Sequence, residues 1–315
     1  MDSLNLQGWL PIGIRRSDPG WRVDWCWFGA QPLHQPFFRD AVDQALRLPF
    51  NQALRRETPL AALDEWRARC PGLAPSALVF HASRCGSTLI SQMLAQLDSH
   101  IVVSEPPPLD TLLRAELPPE IRLRAIQGLL SAYGQVRCPG QSRLVIKLDA
   151  WNIGELALLR QCFPATPWLF VYRDPLEIAV SHLRRPGMHM VPGMIGPSVL
   201  DAGACTDRES FIARRLGRLL QRGLDGAREF DGLLVNYQEL PAAMGGWLGD
   251  FFALTAAQRR AAFACTQRHA KQPDQAFQDD VADKRQAATP ALVEQVQRWA
   301  RGPYERLERR RLQGG

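Results

Sequence analysis

Ala77-Leu-Val-Phe-His-Ala-Ser-Arg-Cys-Gly-Ser-Thr-Leu-Ile-Ser-Gln-Met-Leu94 is the stretch whose reading decides the fold. An apolar, β-type run at 77–81 stops at a short turn, 82–86. A helical pattern follows, with Leu89, Ile90, Met93, Leu94 and Leu97 on one face. Strand, small-residue turn and helix is the arrangement by which a chain points backbone N–H groups and a helix N-terminus at an anion. Ser83, Arg84, Ser87 and Thr88 add hydroxyl and cationic partners, so the turn is expected to hold a phosphate-like group.

Outward from the turn the rhythm is strand–helix–strand. Short apolar strands are expected at 101–103, 144–148, 168–172 and 233–236, with helices over about 109–134, 152–163, 175–185 and 209–229 between them. Asp174 and Pro175 read as the N-cap and first residue of the helix after the fourth strand. Apolar strands alternating with helices argue for a parallel sheet covered on both faces. The fold class expected is α/β: a three-layer, P-loop-type fold whose central parallel sheet of about five strands is flanked by helices. Ligands sit at the carboxyl ends of such strands. Arg84, Glu105, Lys147, Asp149, Arg173 and Tyr237 all fall at or just past strand ends.

Residues 1–72 differ from 73–315. Trp9, Trp21, Trp25, Trp27 and Phe28 crowd a region broken by Pro11, Pro19, Pro32 and Pro36, with helical pieces following to position 69. They read as a Trp-rich extension packed on the main domain, its tryptophans forming a small core of their own or lining a stacking surface. The stretch 186–207, rich in Pro, Gly and Met, reads either as a binding loop or lid or as a disordered segment.

No run reaches the roughly 20 apolar residues of a membrane span, and the first residues lack the pattern of a secretory signal, so the chain reads as cytoplasmic. The 7 cysteines are scattered without a C-x-x-C pair, which suggests neither a disulfide framework nor a zinc site. The net charge of +6 owes part of its excess to 306–311, read as solvated surface, so nucleic acid is not the expected partner. Of the 38 basic residues only Lys147, Lys271 and Lys284 are lysine, and a compact ammonium retained among arginines suggests a specific task.

The turn departs from the triphosphate loop G-x-x-x-x-G-K-[ST]: Ser87 stands where the lysine belongs and His81 replaces the first glycine. Val171-Tyr-Arg-Asp-Pro-Leu-Glu-Ile-Ala-Val-Ser-His182 adds Arg173 at a strand end and Ser181 two turns along the next helix, a pair able to hold a second phosphate. Together the two motifs resemble the sulfotransferase family that uses 3′-phosphoadenylyl sulfate (PAPS). Ser83-Arg-Cys-Gly-Ser-Thr88 matches its first motif, with Ser83 for proline and Cys85 for serine. Arg173 and Ser181 match the second, and Tyr237-Gln-Glu-Leu240 ends a matching strand. The resemblance runs over about 77–300.

The resemblance implies that Arg84, the backbone of Cys85, Gly86, Ser87 and Thr88, and the hydroxyls of Ser87 and Thr88 surround the phosphosulfate. Arg173 and Ser181 would hold the 3′-phosphate, Tyr237 would lie near the adenine, and Lys284 and Arg285 loosely match a closing loop but lack its glycine. The donor would leave as 3′,5′-bisphosphoadenosine (PAP), with no metal required. An acceptor hydroxyl or amine, on a small molecule or carbohydrate, attacks sulfur in line, and Arg84 and Lys147 would stabilise charge on the bridging oxygen. Glu105 or Asp149 would take the proton. His81 and His182 are read as a structural strand-end histidine and a helix-surface one. Two other classes stay open: an ATP-dependent phosphotransferase with Asp149 on magnesium, and a non-catalytic nucleotide-binding module.

Overall fold

Residues 9–27 form a β-hairpin, an element absent from the sequence reading. The computed structural model describes residues 5–201, 203, 205, 207–264, 268–269, 272–276 and 288–314; Lys271, Lys284 and Arg285 lie outside the described residues. Strands β1 (Trp9–Ser17) and β2 (Gly20–Trp27) pair antiparallel, and β3 (Arg56–Pro59) adds to β2. The prolines do not prevent this. Pro11 sits where the β1–β2 register shifts, and Pro19 sits in the turn, two places where a strand tolerates the missing N–H. Val23 and Trp25 alternate inward, and the buried Trp25 indole donates to Thr58 Oγ1 at 2.9 Å.

This small sheet does not keep a core to itself. Helices α1 (Phe38–Ala45), α2 (Pro49–Ala53) and α3 (Ala62–Arg69) lie beside its strands, and the apolar side chains of the sheet, α1 and α3 run on without a break into the core of the rest of the chain. Tyr133 shows the joint: its hydroxyl donates to the Pro11 carbonyl at 3.0 Å while its ring meets Phe38 edge-on at 5.2 Å.

The larger sheet contains β4 (Pro75–His81), β5 (His100–Ser104), β6 (Arg143–Lys147), β7 (Trp168–Tyr172) and β8 (Leu233–Asn236), in the order β5-β6-β4-β7-β8. Its ladders are all parallel. Every residue of β5 and β7 is buried, as strands covered on both faces must be. The crossovers are α4 (Ser87–Ala95), α5 (Pro107–Leu113) with α6 (Pro119–Tyr133), α7 (Leu156–Cys162), and α8 (Pro175–Arg184) with α9 (Arg208–Glu229). Asp174 does cap α8, its Oδ1 accepting from Leu176 N–H at 2.9 Å, with Pro175 first in the helix. The connection leaving β4 runs to one side, while that leaving β6 passes over β4 to β7. The carboxyl end of β4 is thus a point where crossovers diverge, the usual place for a ligand crevice.

Helices α10 (Trp247–Phe251), α11 (Ala256–Ala264), α12 (Pro290–Trp299) and α13 (Arg301–Gln313) follow, with a short antiparallel pair, Arg268–His269 and Gln272–Ala276, between α11 and α12. The basic run at 306–311 is not merely solvated surface. It belongs to α13, where Glu308 accepts from the Tyr172 hydroxyl and, at 3.0 Å, from Asn236, and Arg311 braces Glu308 from behind. No helix among the described residues is long and apolar enough to cross a membrane.

His100, at the start of β5, is buried beside Arg143 on the neighbouring strand. Burial, reinforced by the Arg143 charge, pushes its pKa from 6.5 down to about 4. Between those values the unfolded chain takes up a proton that the folded chain refuses, so stability rises with pH across that window and is level above it. The drop corresponds to roughly 3 kcal/mol. Urea unfolding of wild type and His100→Gln across this pH range should show the smaller acid loss in the variant.

Candidate active site

The turn between β4 and α4 is built from left-handed backbone. Ser83, Arg84 and Gly86 have φ of 66°, 50° and 90°, a conformation of the kind that gathers successive N–H groups around an anion. Non-glycine residues there carry strain of about 1–3 kcal/mol each, so the surrounding contacts must hold them. Ser83 N–H donates to His81 Nδ1 at 3.0 Å, and the buried Cys85 thiol donates to the Val171 carbonyl at 3.1 Å. No side chain caps α4. The Ser87 and Thr88 hydroxyls, both on buried residues, have no hydrogen-bond partner among the described residues. Arg84 donates to the Arg185 carbonyl at 2.9 Å, which ties the turn to the end of α8.

On one side of the turn stand the ends of β7 and β8. Tyr172 and Asn236 are partners in register, so Arg173 and Tyr237, one residue further along each strand, emerge together. The Arg173 guanidinium lies 4.0 Å from the Tyr237 ring centroid, and its Nε is held by Glu177 Oε2 at 2.5 Å. The Tyr237 ring also lies against Gly86, where a Cβ would come within 2.8 Å of it. Only glycine satisfies both that approach and the positive φ. Ser181 stands on the same face of α8 one turn beyond Glu177, half-buried, with no side-chain hydrogen bond among the described residues.

On the other side stand β5 and β6. Ser104 and Lys147 are in register, and the ladder continues one step as Glu105 N–H donates to the Lys147 carbonyl at 2.7 Å. That step, with Glu105 at a left-handed φ of 52°, returns its carboxylate to the Lys147 ammonium. Lys147 is fully buried, its Nζ 5.0 Å from the Phe37 ring centroid. His81 Nε2 lies 3.2 Å from the same Glu105 oxygen. Because His81 Nδ1 accepts from Ser83, the neutral ring carries its proton on Nε2, facing Glu105. Burial pushes the Glu105 carboxyl up, but Lys147 and His81 outweigh it and hold it well below the usual carboxylate range.

Asp149 answers differently. It caps the 3₁₀ turn at Ala150–Glu155 in a reciprocal pairing with Asn152. Burial, then the charges of Glu105 and Asp110, raise its pKa well above normal against the pull of Lys147 and Arg114. The same surroundings therefore drive the two carboxyls in opposite directions, Glu105 down and Asp149 up.

Three features escaped the sequence reading. His81 is not only structural, since its ring joins the turn to Glu105. His182, expected on a helix surface, is fully buried because residues 187–190 fold back over α8. Its Nδ1 accepts from Gly187 N–H at 3.1 Å, and its ring meets His189 edge-on at 5.2 Å. His189 is itself buried beside Trp151, with no partner for its Nε2 among the described residues. Burial, then His81 and Arg215, push its pKa down to about 3, so it stays neutral. The described part of 186–207 is docked: Arg114 donates to the carbonyls of Ile195 and Pro197, and Asp201 pairs with Arg215 at 3.2 Å. Only proximity in space unites these residues, so spacing could not have found them.

No protein-family model matches the chain, and no curated protein does. Among solved structures it is similar to the sulfotransferase STF9 from Mycobacterium avium, at 15% identity over 75% of this chain and 80% of that one, with a TM-score of 0.44. It is similar to a sulfotransferase from Alicyclobacillus acidocaldarius at 14% identity over 76% and 96%, TM-score 0.44. A sulfotransferase domain from the curacin biosynthetic pathway aligns at 15% identity over 71% and 87%, TM-score 0.42.

The buried pair makes a stability prediction. Glu105→Gln leaves the Lys147 ammonium without its counter-charge and should cost about 3–5 kcal/mol in urea unfolding at neutral pH. Adding Lys147→Met to that variant should recover most of the loss. A double variant no more stable than the single one would show that the lysine is not the group left uncompensated.

Proposed function

We propose that the chain transfers a sulfuryl group from PAPS to an acceptor hydroxyl or amine, through a P-loop-type cradle formed by residues 82–88. The observation that carries this reading is the placement of two different chemistries on either side of one left-handed turn. Arg173 and Tyr237 stand on the β7/β8 side, and Lys147, Glu105 and His81 on the β5/β6 side. A donor with two separated anions and an aromatic base needs the first set; an acceptor that must lose a proton needs the second.

The residues suit such a donor. The Ser87 and Thr88 hydroxyls, without partners among the described residues, and the uncapped start of α4 would surround a 5′-phosphosulfate. Arg173, oriented by Glu177 and stacked on Tyr237, presents a fixed guanidinium to a 3′-phosphate, with Ser181 on the same helix face. Lys284 and Arg285 are proposed only as a further contact to that phosphate.

In the reaction an acceptor oxygen lone pair forms the new bond to sulfur while the bond from sulfur to the bridging phosphate oxygen breaks in line, and its electron pair leaves with PAP. Arg84 stabilises the charge growing on that oxygen, and Lys147 contributes from its buried position. The acceptor proton passes to Glu105, which is ionised. Asp149, which favours its protonated form, is suited to donating a hydrogen bond to the acceptor and not to taking its proton. His81 orients Glu105 through Nε2. A small molecule or carbohydrate acceptor would enter from the side of Asp149, Trp151 and His189.

Calorimetry should detect binding of PAP without added metal, weakened at least about tenfold by Arg173→Ala. Labelled PAPS should deliver its sulfuryl group to members of a panel of hydroxyl and amine acceptors, and Asp149→Asn should retain more transfer than Glu105→Asp. Magnesium-dependent turnover of ATP without affinity for PAP would instead identify a phosphotransferase. Tight PAP binding with no transfer to any acceptor would identify a binding module.

A further inference from the structure

Apart from the turn and its neighbours, the chain holds a second concave site. A cavity of about 500 Å³ lies between the small antiparallel sheet and the connection from α6 to β6, lined by Trp9, Trp27, Arg56, Val136 and Arg137. Its volume is in the range of small-molecule pockets. Arg137 belongs to the connection that enters β6, whereas Lys147 ends that strand, so the cavity lies toward the opposite edge of the sheet from the turn at 82–88. The Cys138 thiol donates to the Ala30 carbonyl at 2.9 Å, which fastens this connection to the small sheet.

The chemistry of the lining is one-sided. Arg137 has all three guanidinium nitrogens buried, and none has a hydrogen-bond partner among the described residues. Burial pushes its pKa down to about 10, which leaves it cationic at neutral pH. Arg56 adds a second cation, stacked 4.7 Å from the Trp9 ring centroid and donating to the Asn5 carbonyl. No acidic residue lines the cavity among the described residues. A buried guanidinium with no counter-charge is unfavourable unless something supplies one. The aromatic wall is rigid: Trp9 and Trp27 meet edge-on at 5.7 Å, and Gly8 lets the backbone pass where a Cβ would come within 2.6 Å of Trp27.

We propose that this cavity binds a small organic anion, an oxyanion carried on a flat apolar body, with the oxyanion on the Arg137 fork and the flat body against Trp9 and Trp27. A planar guanidinium matches a carboxylate, phosphate or sulfate oxyanion through paired N–H donors. Indole rings supply stacking area for a flat body but no acceptor for a cation other than their faces. The empty charge balance and the aromatic wall select the same class of ligand.

The test uses the full chain and four probes in calorimetry: 2-naphthoate, 2-naphthyl phosphate, 2-naphthol and inorganic phosphate. The two naphthyl anions should bind, with the neutral naphthol and the bare phosphate at least about tenfold weaker. Arg137→Gln should lose both naphthyl anions by at least about tenfold, while Arg173→Ala, at the other site, should bind them as wild type does. Without ligand, Arg137→Gln should melt higher than wild type, because it removes an uncompensated charge. The proposal is overturned if neither naphthyl anion binds, if Arg137→Gln binds them unchanged, or if Arg173→Ala abolishes the binding. A lower melting temperature for Arg137→Gln would also overturn it, since the arginine would then be serving the fold itself.

Discussion

An ammonium with no access to water needs a partner, and the region around the carboxyl end of the sheet is arranged to give Lys147 one. Glu105 reaches it only because the chain leaves β5 in a left-handed conformation, and the ladder hydrogen bond from Glu105 N–H to the Lys147 carbonyl holds that conformation. Phe37 closes the space over the ammonium from the N-terminal part of the chain. His81 then orients on Glu105, and Ser83 orients on His81. One buried charge therefore connects β6, β5, β4 and the turn at 82–88 through three side chains and one backbone N–H. Such a pair gains little over apolar packing, but removing one member is costly. That asymmetry holds the cluster in one arrangement.

The other half of the site depends on register instead of charge. Tyr172 and Asn236 face each other across β7 and β8, so the next residues, Arg173 and Tyr237, cannot avoid meeting. Beneath them Glu308 from α13 accepts from both Tyr172 and Asn236, which locks the two strand ends at the same height. Gly86 brings the turn against the Tyr237 ring. A left-handed turn, a guanidinium and an aromatic face are thus assembled without any of them being adjacent in sequence.

The alternation of apolar strands with helices was legible because strands buried on both faces leave short apolar runs, which their length and β-branched or aromatic content separate from helical segments. The turn at 82–88 was legible for a similar local reason: small residues, a glycine and the start of a helix need no tertiary partner to be recognised. The hairpin at 9–27 was not, since its prolines look like breaks until the register shows one at an irregularity and the other in the turn. The surroundings of His182 and His189 were hidden because a loop folding back over a helix leaves no periodic trace.

The sequence by itself determined which residues stand at strand ends, and so which side chains were eligible for the site. Periodicity and capping are local, and local rules act on neighbours along the chain. Only the tertiary structure decided how the surroundings of those side chains differ. Glu105 and Asp149 are both carboxylic acids just past neighbouring strand ends, yet Lys147 and His81 hold one well below the usual carboxylate range while burial, with the charges of Glu105 and Asp110, raises the other. Charge interactions and desolvation depend on distance through space. The turn at 82–88 could be placed between a strand and a helix from sequence alone. Which side chains surround that turn depended on strands that meet only in the folded chain.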